Sequence, residues 1–200
     1  IAPTPIMYSS NGSNTWSTDP GIPITVSLYG IKMLNSNTGY VTGGSGKVFK
    51  TTNGGANWDS VTFAGVTGII YSADFLDVNT GWISGASGVV KKTTDGGTTW
   101  SLQTSGVTTT LYKLDMVNEN TGWFIGSSGT TRKTTDGGAT WNAQTPNYTS
   151  TLNWIQMLDV NTGYLCGLSG NLRRTTNGGA NWDTVQTAIT TSLYSLSFLN

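Results

Sequence analysis

Six residues stand at corresponding points of a repeated sequence yet differ in type: Lys32, Asp74, Lys113, Asp115, Trp154 and Gln156. Aligned on the internal period, they form two columns. One reads Gly30, Ser72, Lys113, Trp154, Ser195 and the other Lys32, Asp74, Asp115, Gln156, Ser197. Polar positions that vary inside a frame that repeats are the places where a site would be written. Asp74 and Asp115 lie on neighbouring repeats, and glycoside hydrolysis needs two carboxylates roughly 5–10 Å apart. Trp154 offers a face on which a sugar stacks.

The rest of the inventory closes other routes. The chain has no histidine, one cysteine (Cys166), one glutamate (Glu119) and three arginines, Arg132, Arg173 and Arg174. A zinc site of the usual ligands is excluded, no EF-hand-type calcium loop is present, and no metal or cofactor is expected. Gly43–Gly44–Ser45–Gly46–Lys47 lacks the spacing and following helix of a phosphate loop, and its Gly-x-Ser-Gly core returns in every repeat as a turn. Cys166 sits in the apolar run Tyr164–Leu165–Cys166, where a small buried hydrophobe is expected rather than a reactive thiol.

The elements that must position these residues are marked by one short stretch. It reads TTNGGANW at Thr51–Trp58, TTDGGTTW at Thr93–Trp100, TTDGGATW at Thr134–Trp141 and TTNGGANW at Thr175–Trp182, with a worn copy, SSNGSNTW, at Ser9–Trp16. The tryptophans Trp16, Trp58, Trp100, Trp141 and Trp182 are spaced 42, 42, 41 and 41 residues apart. A period of this size signals an array of supersecondary units or a propeller. Asn53, Asp95, Asp136 and Asn177 start turns by bonding backbone two residues on, and the glycines after them supply positive φ. Each copy therefore reads as a hairpin tip anchored by Trp58, Trp100, Trp141 or Trp182, with a structural role.

Four units follow from the period, at 28–68, 69–110, 111–151 and 152–191. A partial unit precedes them at 1–27, and 192–200 copies the first strand of another. In the first unit the strands are expected at Leu28–Leu34 (A), Gly39–Thr42 (B), Lys47–Thr51 (C) and Asp59–Phe63 (D). Short strands between Gly/Asn turns argue an all-β fold, and four per unit is the size of a propeller blade. Period-2 alternation turns the apolar column Ile31, Ala73, Leu114, Ile155, Leu196 away from the polar ones. It puts Tyr29, Tyr71, Tyr112 and Tyr194 on that apolar register, packed between blades. On strand C, Lys50, Lys92, Lys133 and Arg174 form a column that reads as a basic ring for an anionic partner or as a solvated ladder.

T-x-[DN]-G-G-x-x-W resembles the Asp-box, or BNR, repeat. The upstream halves LNSNTGYVTGGSG (Leu34–Gly46), LDVNTGWISGASG (Leu76–Gly88), VNENTGWFIGSSG (Val117–Gly129) and LDVNTGYLCGLSG (Leu158–Gly170) resemble the photosystem II stability/assembly factor family. The resemblance covers nearly the whole chain. It implies a β-propeller with Asp-boxes at the blade edges, away from a central binding face, and it supports protein binding. Innermost A strands would then line a channel, around which Lys32 and Lys113 neutralise Asp74 and Asp115. The Asp-box also occurs in sialidases, whose three arginines and Tyr/Glu pair do not carry over: the arginines here all lie on strand C, and Glu119 lies in an A–B turn.

Charged residues make up 10% of the chain, ten of each sign, so no global field recruits nucleic acid or an acidic membrane. No apolar run approaches the roughly 20 residues of a membrane helix. The Thr/Ser/Asn/Gly-rich composition suits a secreted or cell-surface protein, and the resemblance, whose repeats occur in many bacterial secreted proteins, implies a bacterial one. The expectation is a non-enzymatic scaffold or interaction module, part of a larger propeller. Its partner is expected to be another protein or an extracellular assembly, with a carbohydrate-binding or glycoside-hydrolase propeller as the alternative.

Overall fold

The computed structural model describes residues 7–8, 17–18, 26–61, 63 and 65–198. Its strands are β1 (Met7–Tyr8), β2 (Ser17–Thr18), β3 (Leu28–Met33), β4 (Gly39–Gly43), β5 (Val48–Thr51), β6 (Asp59–Val61), β7 (Ile70–Phe75), β8 (Gly81–Gly85), β9 (Val90–Thr93) and β10 (Ser101–Gln103). They continue with β11 (Leu111–Met116), β12 (Gly122–Gly126), β13 (Thr131–Thr134), β14 (Asn142–Ala143), β15 (Leu152–Met157), β16 (Gly163–Gly167), β17 (Leu172–Thr175) and β18 (Asp183–Thr184). Among the described residues β3–β18 form four antiparallel sheets, each a meander of four consecutive strands, and β1 and β2 form a two-stranded fifth. The strands fall where the period puts them, and the outermost strand of the first sheet spans Asp59–Val61, against the expected Asp59–Phe63. Met7–Tyr8 pairs with Ser17–Thr18 in the register of the last two strands of a full sheet. The worn Asp-box and Trp16 lie outside the described residues.

Consecutive inner strands, β3, β7, β11 and β15, lie side by side, and the outer strands do not. The sheets are thus packed face to face and splay outward, as propeller blades do. The second strand of each sheet explains the packing. It reads GYVTG, GWISG, GWFIG or GYLCG and is buried along nearly its whole length. Its aromatic faces the following sheet and its central apolar residue the preceding one. Trp82 of the second sheet, for example, meets Leu111, Leu114, Met116, Phe124 and Trp141 of the third. The equivalent layer between the third and fourth sheets holds Trp123, Ile155, Met157, Leu165 and Trp182. The glycine that ends these strands is a steric necessity in the third sheet, since a Cβ on Gly126 would lie 2.1 Å from the Thr110 backbone carbonyl oxygen.

Ala73, Leu114 and Ile155 are buried as the alternation requires. Ile31 of the same column is 63% exposed, because it lies on the face of the first sheet away from the second. Residues 192–198 run along β15 without forming a strand, where the repeat expects one. Among the described residues no helix is long and apolar enough to cross a membrane, and the only helical pieces are 3₁₀ turns such as Ala86–Gly88.

Candidate functional site

Each inner strand carries a register shift near its start, between Leu28 and Gly30, Ile70 and Ser72, Leu111 and Lys113, and Leu152 and Trp154. The extra residue is Tyr29, Tyr71, Tyr112 or Asn153. A bulge breaks the simple alternation of faces. Leu111 and Leu114, three apart, therefore both face the preceding sheet, while Tyr112 packs toward the following one with Trp123 and Leu152. This corrects the placement of the tyrosines on the apolar register, which counts by twos and cannot see the inserted residue. Tyr71 stands edge-on to Tyr29 and to Tyr112, with ring centroids 5.0 Å apart in both pairs. Tyr29 is 47% exposed and its two neighbours are half-buried. Burial raises the Tyr71 phenol above its usual range, and the neighbouring phenols Tyr112 and Tyr29 add to the shift.

The polar columns lie just beyond this ladder and join blade to blade. Leu114 N–H donates to Ser72 Oγ at 3.3 Å, Met116 N–H to Asp74 Oδ2 at 2.8 Å, and Met157 N–H to Asp115 Oδ2 at 2.6 Å. Phe198 N–H donates to Gln156 Oε1, and Gln156 Nε2 donates back to the Phe198 carbonyl, which ties residues 192–198 to the fourth sheet. The other oxygen of Asp74 pairs with Lys32 Nζ at 2.8 Å. Lys113 Nζ sits 4.7 Å from the Trp154 ring centroid and covers one face of the indole. Burial pushes the Asp115 carboxyl up to about 6, with the nearby Asp74 carboxylate adding; the Met157 N–H, Lys113 and Lys32 oppose it. Burial lowers the Lys113 ammonium, against the pull of Asp74 and Asp115. Lys32, Asp74, Lys113, Asp115 and Trp154 thus form one neighbourhood, while Gln156 serves the chain end.

The Asp-boxes build turns. Thr93 Oγ accepts the Gly97 N–H at 2.8 Å and donates to Asp95 Oδ1 at 2.8 Å, and Asp95 Oδ1 accepts the Thr99 N–H at 2.9 Å. Thr134–Asp136, Thr51–Asn53 and Thr175–Asn177 repeat this. The side chain thus reaches four residues on, not two, because the box spans a wider turn than an Asx turn. The two-residue reach belongs to the A–B turns, where Asp77 Oδ1 accepts from Asn79. The Thr99 backbone and hydroxyl hold Asp95 down at about 2, and the Thr140 hydroxyl and backbone hold Asp136 there. Trp58, Trp141 and Trp182 are buried under their turns and Trp100 is half-buried.

Three members of the basic column on strand C are latches between blades, while the fourth, Arg174, is exposed and lies over Tyr164. Lys50, Lys92 and Lys133 each reach across to the next blade and donate to the first glycine carbonyl of its Asp-box, Gly96, Gly137 or Gly178, at 2.7, 3.2 and 3.0 Å. Each also lies over the aromatic paired with it across the sheet: Tyr40, Trp82 or Trp123. Tyr40 OH and Trp82 Nε1 donate to the same carbonyls. Sequence reasoning missed this latch; its signal was an aromatic ten residues before a cation in every unit. Among the described residues there is no cluster of three or more potential metal ligands.

Residues 8–104, 63–141 and 102–193 each match the family described as Photosynthesis system II assembly factor YCF48. No curated protein sequence matches the chain. Among solved structures, YCF48 bound to D1 peptide superposes with a TM-score of 0.71 at 18% identity, over 88% of this chain and 59% of that one. YCF48 from Cyanidioschyzon merolae gives 0.70 at 18% identity, over 89% and 62%. An ancestral GH74 enzyme gives 0.70 at 16% identity, over 80% of this chain and 24% of its own. The chain spans about three-fifths of the length of the two YCF48 structures. At these identities the superpositions establish the propeller fold alone.

Proposed function

The chain belongs to the photosynthesis system II assembly factor YCF48 family, and from that premise we propose that it is a non-enzymatic interaction propeller. It engages a polypeptide partner at the rim where Tyr29, Tyr71 and Tyr112 meet. One observation carries this reading: Asp74 and Asp115, the carboxylates best placed for acid–base work, are spent holding the next inner strand by its backbone. One oxygen of each carboxylate is fixed to an amide, and its displacement would unlatch a blade. The tyrosine ladder is what that end offers to a partner, and tyrosine is enriched in protein interfaces for its large, rigid, amphipathic ring. YCF48 in complex with a D1 peptide is a precedent for polypeptide binding within the family. The low charge and the Thr/Ser/Asn-rich surface support a secreted or cell-surface setting for this chain.

A photo-crosslinking residue placed at Tyr71 tests the reading in the source organism. Capture of a defined protein, lost when Tyr29 and Tyr112 are changed to Ala, is expected. Capture of glycan instead would replace it with the second reading. That carbohydrate reading draws on the same tyrosines, which cluster partly open to solvent and do not vanish between blades. Against it, Trp154 has one indole face under Lys113. Release of reducing ends from xyloglucan or of free sialic acid by the purified chain would overturn the non-enzymatic assignment.

A further inference from the structure

At the rim of the second blade lies an open groove of about 740 Å³, walled by the connectors before and after that blade and by its Ser87–Val89 turn. Lys91 forms part of the wall. Only 7% of this lysine is exposed. Its ammonium lies 5.4 Å from the Phe63 ring centroid, and among the described residues no carboxylate or hydrogen-bond acceptor pairs with it. The stem of Lys91 is buried while its ammonium opens onto the groove over Phe63, a positive charge with no carboxylate against it.

The repeat shows why the groove exists at this blade. Lys91 occupies the position of Arg132 in the third blade and Arg173 in the fourth. Arg132 donates to the Trp141 carbonyl with one terminal nitrogen and to Gly106 with the other, at 3.1 Å each, so it bridges its own outer strand and the preceding connector. Arg173 reaches the Trp182 carbonyl at 3.5 Å and covers Tyr148. Lysine carries a single point of charge and cannot span both sides. The space that a guanidinium closes in the third and fourth blades stays open, and the ammonium lies over Phe63 without a hydrogen-bond acceptor. Arg132, through its contact with Gly106, adds a second cation at the margin, and no acidic side chain lines the groove.

We propose that this groove is a second binding site, separate from the tyrosine rim, and that it takes a carboxylate group of the partner polypeptide. Lys91 supplies the recognising charge, the Ser105 hydroxyl stands on the same wall, and Val66 and Val107 line the apolar part. The carboxylate comes from an acidic side chain or from a chain terminus. The inference rests on reading the protein as an interaction propeller, but it concerns a different surface and is tested apart from it.

The test is an amide NMR titration of the whole chain with three capped peptides. Acetyl-triglycine carries a terminal carboxylate, acetyl-Gly-Glu-Gly-amide an internal one, and acetyl-triglycine-amide none. Saturable shifts at Ser87, Ser105 and Val107 with either carboxylate peptide, and none with the amide, are expected; whichever peptide binds identifies the source. Lys91→Met keeps the aliphatic stem and should weaken binding about tenfold or more. Thr104→Glu, at an exposed residue of the wall, adds a charge like that of the ligand and should weaken it too without changing Lys91. Equal shifts with the amide peptide, undiminished binding in both variants, or no groove shift at millimolar peptide would overturn the proposal. Shifts confined to Tyr71 and Tyr112 would overturn it while leaving the interaction reading intact.

Discussion

Asp74 accepts the backbone N–H of Met116, 42 residues further along, at 2.8 Å, and its second oxygen holds Lys32 of the preceding blade at 2.8 Å. One buried carboxylate therefore touches three consecutive blades. Asp115 does the first half of this one blade later, with Met157.

Removing that acceptor should be expensive. Asp74→Ala leaves the Met116 N–H buried and unpaired and frees Lys32, at a cost of about 2–4 kcal/mol in urea unfolding. Asp74→Asn keeps an acceptor and should lose less than half as much. Equal losses would show that Asp74 acts through its charge alone.

Asp115 gives stability a pH dependence of unusual sign. Its folded carboxyl titrates at about 6, against about 3.9 for an unfolded aspartate. Between roughly pH 4 and 6 the folded chain binds more protons than the unfolded one, so stability falls as pH rises through that window and then levels. Asp95 and Asp136, held at about 2, act oppositely: their contribution is present above the ordinary carboxylate range and is lost in acid. Thermal melts from pH 4.5 to 7 should decline for the native chain and flatten in Asp115→Asn. An unchanged slope in that variant would assign the decline elsewhere.

The cation latch on strand C should be measurable. Lys92→Met removes a charged hydrogen bond to Gly137 and the contact over Trp82, and should cost about 1.5–3 kcal/mol. A solvated lysine would cost under about 0.5 kcal/mol. The Trp82 Nε1–Gly137 bond persists and limits the loss.

The Asp-box tryptophans should differ among themselves. Trp141, 5% exposed and packed on Phe124, should lose about 3–5 kcal/mol on change to Ala. Trp100 is half-buried and meets Phe63 and Phe75 only at ring edges and tilts, so its loss should be smaller. The reverse order would mean that burial is not what sets these anchors' contribution.

The burial of each second strand was not legible in the chain by itself, whereas the period, the four-stranded units and the positions of the turns were. They depend on local chemistry: a threonine and an aspartate four residues from the amides they cap, glycines where no Cβ fits, and alternation along short strands. The columns that vary were legible too, and Asp74, Asp115 and Lys113 do gather. What tertiary structure alone decided is what those residues bond. Asp74 and Lys92 spend their polar atoms on backbone groups about one repeat away, which are invisible until the sheets are packed. A bulge of one residue moved Tyr71 and Tyr112 to the opposite face, and one lysine standing where the third and fourth blades have arginine left a groove open. Local pattern specifies the blade, because its bonds are short in sequence. The site arises between blades, where distance in the chain and distance in space part company.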